Sequence, residues 1–167
     1  MNKMLIALAL SASLLSGCNA RGKVGLAVGD NAPDFSITTS DGTSLSLSSF
    51  RGSVLLITSA ATWCGTCVIE AEELRKAYTA LPSNRVIFLT VSIDPREDVQ
   101  TLESFRASAQ TPWFYATKAG ASDLVRSYGL DRFEITYIID PSGVIRYQDR
   151  RITTAEEALA VLTPLTT

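Results

Sequence analysis

The chain has 167 residues, 46% of them hydrophobic, with a formal charge of -2, three cysteines and no histidine. That balance excludes a basic nucleic-acid surface, and neither a Gly-rich phosphate loop nor a dinucleotide fingerprint occurs. The apolar content suits one domain with a real core, and there is no internal repeat.

Met1-Asn2-Lys3 is a short basic start, and Met4 to Leu15 is an apolar stretch too short to cross a bilayer as a helix. Residues 1–17 therefore read as an export signal. Leu15-Ser16-Gly17-Cys18 is similar to the lipobox of bacterial lipoproteins, which implies cleavage before Cys18 and a lipid on that residue. The alternative is an ordinary secretory peptide cut near Ala20. A lipid on Cys18 removes the odd thiol from an oxidising compartment. Residues 18–31 lack an apolar period and read as a tether, which leaves residues 32–167 as the domain.

Phe35 to Thr39 and Ser44 to Leu47 flank Asp41-Gly42 and predict an N-terminal hairpin. Val54 to Thr58 is a continuous apolar run suited to a buried strand. Thr62-Trp63-Cys64-Gly65-Thr66-Cys67 follows and opens a helix that carries Glu70, Glu72, Glu73, Leu74, Ala77 and Leu81, stopped by Pro82-Ser83-Asn84. Arg85 to Ile93 is a second buried strand, and Asp94-Pro95 reads as the cap of a helix that ends about Ala109. A strand near Trp113 to Ala116, a helix over Ala121 to Tyr128, strands at Ile135 to Ile139 and Val144 to Tyr147, and a last helix capped by Thr154 complete the chain. Strands alternating with helices predict an α/β sheet with its site at the C-terminal edge of a central strand.

A dithiol at C-x-x-C spacing can close a disulfide across one helical turn, and a thiol at a helix start has its thiolate stabilised by free N–H groups. Redox use is the reading this position favours. Half of a zinc site, or an inert buried pair, are the other two. Zinc needs two further cysteine or histidine ligands, and only Cys18 remains.

Gly29-Asp30-Asn31-Ala32-Pro33-Asp34-Phe35, Trp63-Cys64-Gly65-Thr66-Cys67 with Glu70, and Tyr128-Gly129-Leu130 before Ile138-Ile139-Asp140-Pro141-Ser142-Gly143 resemble the thioredoxin-fold proteins of the TlpA/ResA type. The resemblance implies a central mixed sheet flanked by helices, with the N-terminal hairpin as an extension. It implies an extracytoplasmic, membrane-held thiol-disulfide oxidoreductase with no cofactor beyond a Cys64–Cys67 disulfide. It places the chain in the cell envelope, on the outer face of the cytoplasmic membrane or in the outer membrane. Partners would be protein disulfides or dithiols, including apocytochrome c and oxidase assembly proteins, with a membrane electron donor.

Within that resemblance Cys64 attacks and Cys67 resolves. Glu70 either relays a proton to Cys67 or is a solvated helix-face residue. Thr66 can donate to the Cys64 sulfur. Trp63, Phe133 and Ile135 face substrate, although Trp63 also suits a packed core. Glu134 stands where the family places a cis-proline, so the loop should be rebuilt in trans. Its carboxylate either opposes the Cys64 thiolate or turns into solvent. Asp123 and Arg126 are ordinary helix charges.

Val91 to Asp98 and Asp131 to Gly143 are also similar to Sco-type copper chaperones, which use two cysteines separated by three residues, C-x-x-x-C, and a histidine. Here the spacing is C-x-x-C and Arg132 stands at the histidine place, so no metal is expected, although a dithiol alone can take Cu(I). A peroxiredoxin-like peroxidase is a further alternative that needs threonine three residues before its cysteine, where Ala61 precedes Cys64. A redox-silent lipoprotein that docks on a respiratory assembly is the binding-module alternative.

Overall fold

A computed structural model describes residues 22–81 and 84–166. The expected signal at 1–17 and Cys18 lie outside the described residues. In chain order the elements are β1 (Ser36–Thr38), β2 (Ser44–Ser46), a 3-10 turn over Leu47–Phe50, β3 (Val54–Ala60), α1 (Gly65–Ala80), β4 (Val86–Ser92) and α2 (Val99–Ala109). They continue with β5 (Phe114–Ala116), α3 (Ser122–Ser127), β6 (Thr136–Ile139), β7 (Ile145–Asp149) and α4 (Ala155–Leu165). β1 and β2 form a separate antiparallel pair. The main sheet runs β5-β4-β3-β6-β7, with β3, β4 and β5 parallel and β6 antiparallel to both its neighbours. This is the mixed α/β sheet of a thioredoxin-like fold.

β3 is buried along its whole length because both faces are covered, which explains the apolar run from Val54 to Ile57. The two-residue period divides its side chains. Leu55 and Ile57 join Leu89, Val91, Tyr137 and Leu124 on the α3 and hairpin side. Val54 and Leu56 join Phe88, Leu74 and Ala77 of α1, Leu102 of α2, and Ala158 and Leu162 of α4 on the other. The sheet thus lies between two layers, and β3 at its centre delivers the chain to the cysteines.

Two expectations are corrected. Asp94 does not start α2: the helix begins after Asp98, whose carboxylate accepts hydrogen bonds from the Thr101 amide at 2.8 Å and hydroxyl at 2.7 Å. Asp94 is occupied in the turn before it, accepting from the Arg96 amide at 2.9 Å. Residues 22–31 are not a free tether. Gly29 N–H donates to Ile145 O and Ile145 N–H to Asp30 O, each at 2.9 Å, while Ala32 N–H donates to Gly143 O. Leu26 packs against the core, so this stretch is fastened beside β7 by single bridges that no sequence period announces.

Candidate dithiol site

The chain leaves β3 at Ala60 and reaches Cys64 as the N-cap of α1, in extended conformation. Cys64 and Cys67 are joined as a disulfide with their Cα atoms 5.2 Å apart. The Cys67 amide donates to Cys64 Sγ at 3.2 Å, and the Thr66 hydroxyl donates to the same sulfur at 3.3 Å. In the reduced protein these donors and the helix dipole favour negative charge on Cys64. Cys64 is 6% exposed and Cys67 2%, so the N-cap sulfur is the one an incoming group meets.

Glu70 lies one turn beyond Cys67 on the same buried face of α1. It is 1% exposed, which overturns the solvated alternative. Thr58 Oγ1 donates to it at 2.9 Å, Thr136 Oγ1 at 3.3 Å, and the Thr153 amide at 3.1 Å. Loss of water raises its pKa to about 7 against the pull of the Thr153 and Thr58 hydrogen bonds, and the negative charges of Asp149 and Glu134 add to the rise. A carboxyl group at that value exchanges a proton readily near neutral pH.

Above the sulfurs is an apolar rim. Trp63 is 60% exposed and meets Phe133 edge to face at 5.2 Å, so it is a surface residue rather than a packed core one. Its Nε1 donates to Asp94 Oδ2 at 2.7 Å. Hydrogen bonds from Arg96 first, and from Trp63, hold the Asp94 carboxyl well below the usual carboxylate range. Glu97 accepts from the Thr62 amide and hydroxyl, both at 2.7 Å, and from Ser92 Oγ at 2.6 Å, pinning the turn before Cys64. Phe133 packs against Ala60, Ala61, Cys64 and Cys67.

The loop 132–135 is held by Ser59. Ser59 Oγ donates to Arg132 O at 2.7 Å and accepts from Ile135 N–H at 3.0 Å. Its backbone accepts from Glu134 N–H at 2.8 Å and donates to Ile135 O at 3.1 Å. Among the described residues no peptide bond is cis, and Glu134 sits at φ 61, in the left-handed region. The Glu134 carboxylate does not turn into solvent: a carboxylate oxygen and the two sulfurs all lie within 4.8 Å of one another. Ile135 is a correction, since it is fully buried in the main core and cannot face a substrate. Its amide completes the sheet edge with Ser59, which turns its side chain inward at the entry to β6. Arg132 turns away from the dithiol, donating to Arg150 O at 2.9 Å. Asp123 and Arg126 form an exposed ion pair on α3.

Ser59, Glu97 and the threonines around Glu70 were not singled out from the sequence. The available signal is Thr58-Ser59, two polar residues near the end of an otherwise apolar strand that leads to the cysteines.

A family profile described as Redoxin matches residues 27–162. The chain is 30% identical over 128 residues to the thioredoxin-like protein YneN of Bacillus subtilis, covering 74% of this chain and 72% of that protein. It is 25% identical over 126 residues to the thiol-disulfide oxidoreductase ResA of Geobacillus thermodenitrificans, covering 74% and 70%. The copper-bound structure of ScoI from Bradyrhizobium japonicum superimposes with a TM-score of 0.65, covering 83% of this chain and 99% of that one at 21% identity, a likeness of fold.

Proposed function

The chain belongs to the redoxin family and is a thiol-disulfide oxidoreductase of thioredoxin-like fold, and from that premise we propose that it reduces disulfides of partner proteins outside the cytoplasm, held at a membrane by lipid on Cys18. The observation that supports this reading most is Cys64 as N-cap, its sulfur accepting the Cys67 amide beneath the Trp63–Phe133 rim.

Cys64 attacks as thiolate on one sulfur of a partner disulfide; that bond breaks, and the partner's other sulfur leaves as a thiolate and is protonated. Cys67 gives its proton to the Glu70 carboxylate and attacks Cys64 Sγ; the Cys64–partner bond breaks, and the partner's second sulfur leaves as a thiolate that takes a proton from solvent. The partner departs as a dithiol, and two electrons have passed to it from the Cys64–Cys67 pair. A membrane electron donor then restores the dithiol. Apocytochrome c before haem attachment, and oxidase assembly proteins, are the partner classes that the resemblance to membrane-held relatives supports.

The test is trapping. Cys67→Ala should accumulate mixed disulfides on Cys64 that a thiol reductant releases, with none in Cys64→Ala. Adducts of equal yield in Cys64→Ala would overturn the assignment of roles. Cys18→Ser should lose acyl mass and leave the detergent phase, and a wild-type protein without acyl mass would remove the anchor.

A further inference from the structure

The two disulfide sulfurs and a carboxylate converge at the mouth of the site, one atom from each of Cys64, Cys67 and Glu134 within 4.8 Å of the other two. Among the described residues nothing donates a hydrogen bond to the Glu134 carboxylate and no cation pairs with it, although it is only partly exposed. The nearby cations are engaged elsewhere: Arg132 on Arg150 O, and Arg96 on Asp94 at 2.7 Å. The fold holds this bare carboxylate in place at a cost, since the left-handed region is disfavoured for a residue with a side chain. Ser59 secures it there with bonds to Arg132, Glu134 and Ile135 of the loop.

Once the disulfide is reduced, two thiolates and the carboxylate would sum to three negative charges in one small space, and a divalent cation is the group that relieves this. Borderline zinc accepts sulfur and oxygen donors together in a tetrahedral shell, whereas soft Cu(I) is satisfied by two thiolates and gains little from a carboxylate. The Cys67 amide bond to Cys64 Sγ would remain available to support a bound thiolate. We propose that the reduced protein binds a zinc-class divalent cation through Cys64 Sγ, Cys67 Sγ and a Glu134 carboxylate oxygen, with a fourth position open to water.

The balance is simple. An external dithiol reduces the Cys64–Cys67 bond with two electrons and two protons and is itself oxidised to a disulfide. The cation then displaces both thiol protons into solvent and leaves the site with a net charge of -1. Metal and partner disulfide compete for the same sulfur lone pairs, so the metal caps the dithiol. It also favours the reduced state, raising the midpoint potential by about 30 mV for each tenfold excess of metal over its Kd. The inference rests on the redox cycling proposed above, and metal binding by chemically reduced protein is read separately from any disulfide reduction.

The experiment uses the full chain in detergent, with Cys18→Ala in every arm so that no third thiol contributes. Co(II) is titrated into reduced and oxidised protein without oxygen, then displaced by Zn(II). Reduced protein should take one equivalent and show thiolate-to-metal charge transfer with tetrahedral d–d bands; oxidised protein should show neither. Glu134→Gln should weaken binding by more than the roughly 10- to 100-fold that loss of a merely supporting residue costs. Glu134→His, a different donor at the same place, should restore tetrahedral bands and so separate ligand loss from misfolding. Unchanged affinity in Glu134→Gln, no charge-transfer band in the reduced wild type, or Cu(I) binding that outcompetes Zn(II) and ignores Glu134 would each overturn the proposal.

Discussion

Two glutamates belong to the dithiol region, one on α1 past Cys67 and one on the loop beside the sulfurs, and the fold treats them differently. Glu70, one turn beyond the two sulfurs on α1, is buried and receives three hydrogen bonds, from β3, β6 and the turn before α4. Glu134, beside the sulfurs, stands on a left-handed loop residue, partly exposed and without a donor among the described residues. The first carboxylate is held by its donors, and burial raises its pKa to about 7. The second is positioned by its backbone alone, so its charge is left for whatever enters the site.

The largest expected effect breaks the first half of that contrast. Burial raises the Glu70 pKa from 4.5 to about 7, so the folded state holds a proton that the unfolded chain releases. Its contribution to stability is complete below about pH 4.5 and is lost as pH rises to about 7, a change on the order of 3 kcal/mol. Urea unfolding of the oxidised protein at pH 5 and pH 8 should show this loss in wild type and largely not in Glu70→Gln. The same loss in both would mean that Glu70 is ionised in the fold without penalty.

Ser59→Ala sharpens the second half. It removes the acceptor of the buried Ile135 amide and the donor to Arg132 O, which should cost about 1 to 3 kcal/mol in chemical denaturation. It should also weaken Co(II) binding by reduced protein, because the Glu134 loop loses its side-chain support. Stability at wild-type level would show that the backbone bonds to residue 59 suffice.

The smallest effect on stability belongs to the rim. Trp63→Ala removes an exposed ring, so stability should shift by no more than about 0.5 kcal/mol. The KM for a protein disulfide such as insulin should nevertheless rise, since the contact edge with Phe133 is gone. A raised KM with unchanged unfolding separates docking from folding; an unchanged KM would assign the ring only to its bond with Asp94.

The sequence made the cysteines and their strand-turn-helix setting legible because those signals are local: an apolar run, a C-x-x-C spacing and a good helix former series. α2 was misplaced at its start because Asp94 and Asp98 are equally good caps in isolation, and only the ties of Asp94 to Arg96 and Trp63 decide between them. The burial of Glu70 was undecidable because its donors come from β3, β6 and the turn before α4. The Glu134 position was legible as a missing proline, but its aim depends on Ser59, and the inward turn of Ile135 depends on the same residue. Residues 22–31 attach through isolated bridges, which leave no period to read.

The hydrogen bond from Ile135 to Ser59 joins residues 76 positions apart. Contacts of such separation form late relative to local helix and hairpin structure, because a long loop must close first. Until β6 docks on β3 the emerging chain carries an ordinary C-x-x-C pair with no carboxylate above it and no rim beside it. Chemical discrimination at these two sulfurs is therefore acquired at the last stage of folding, and a chain stalled before that stage is a reactive thiol reagent rather than a selective one.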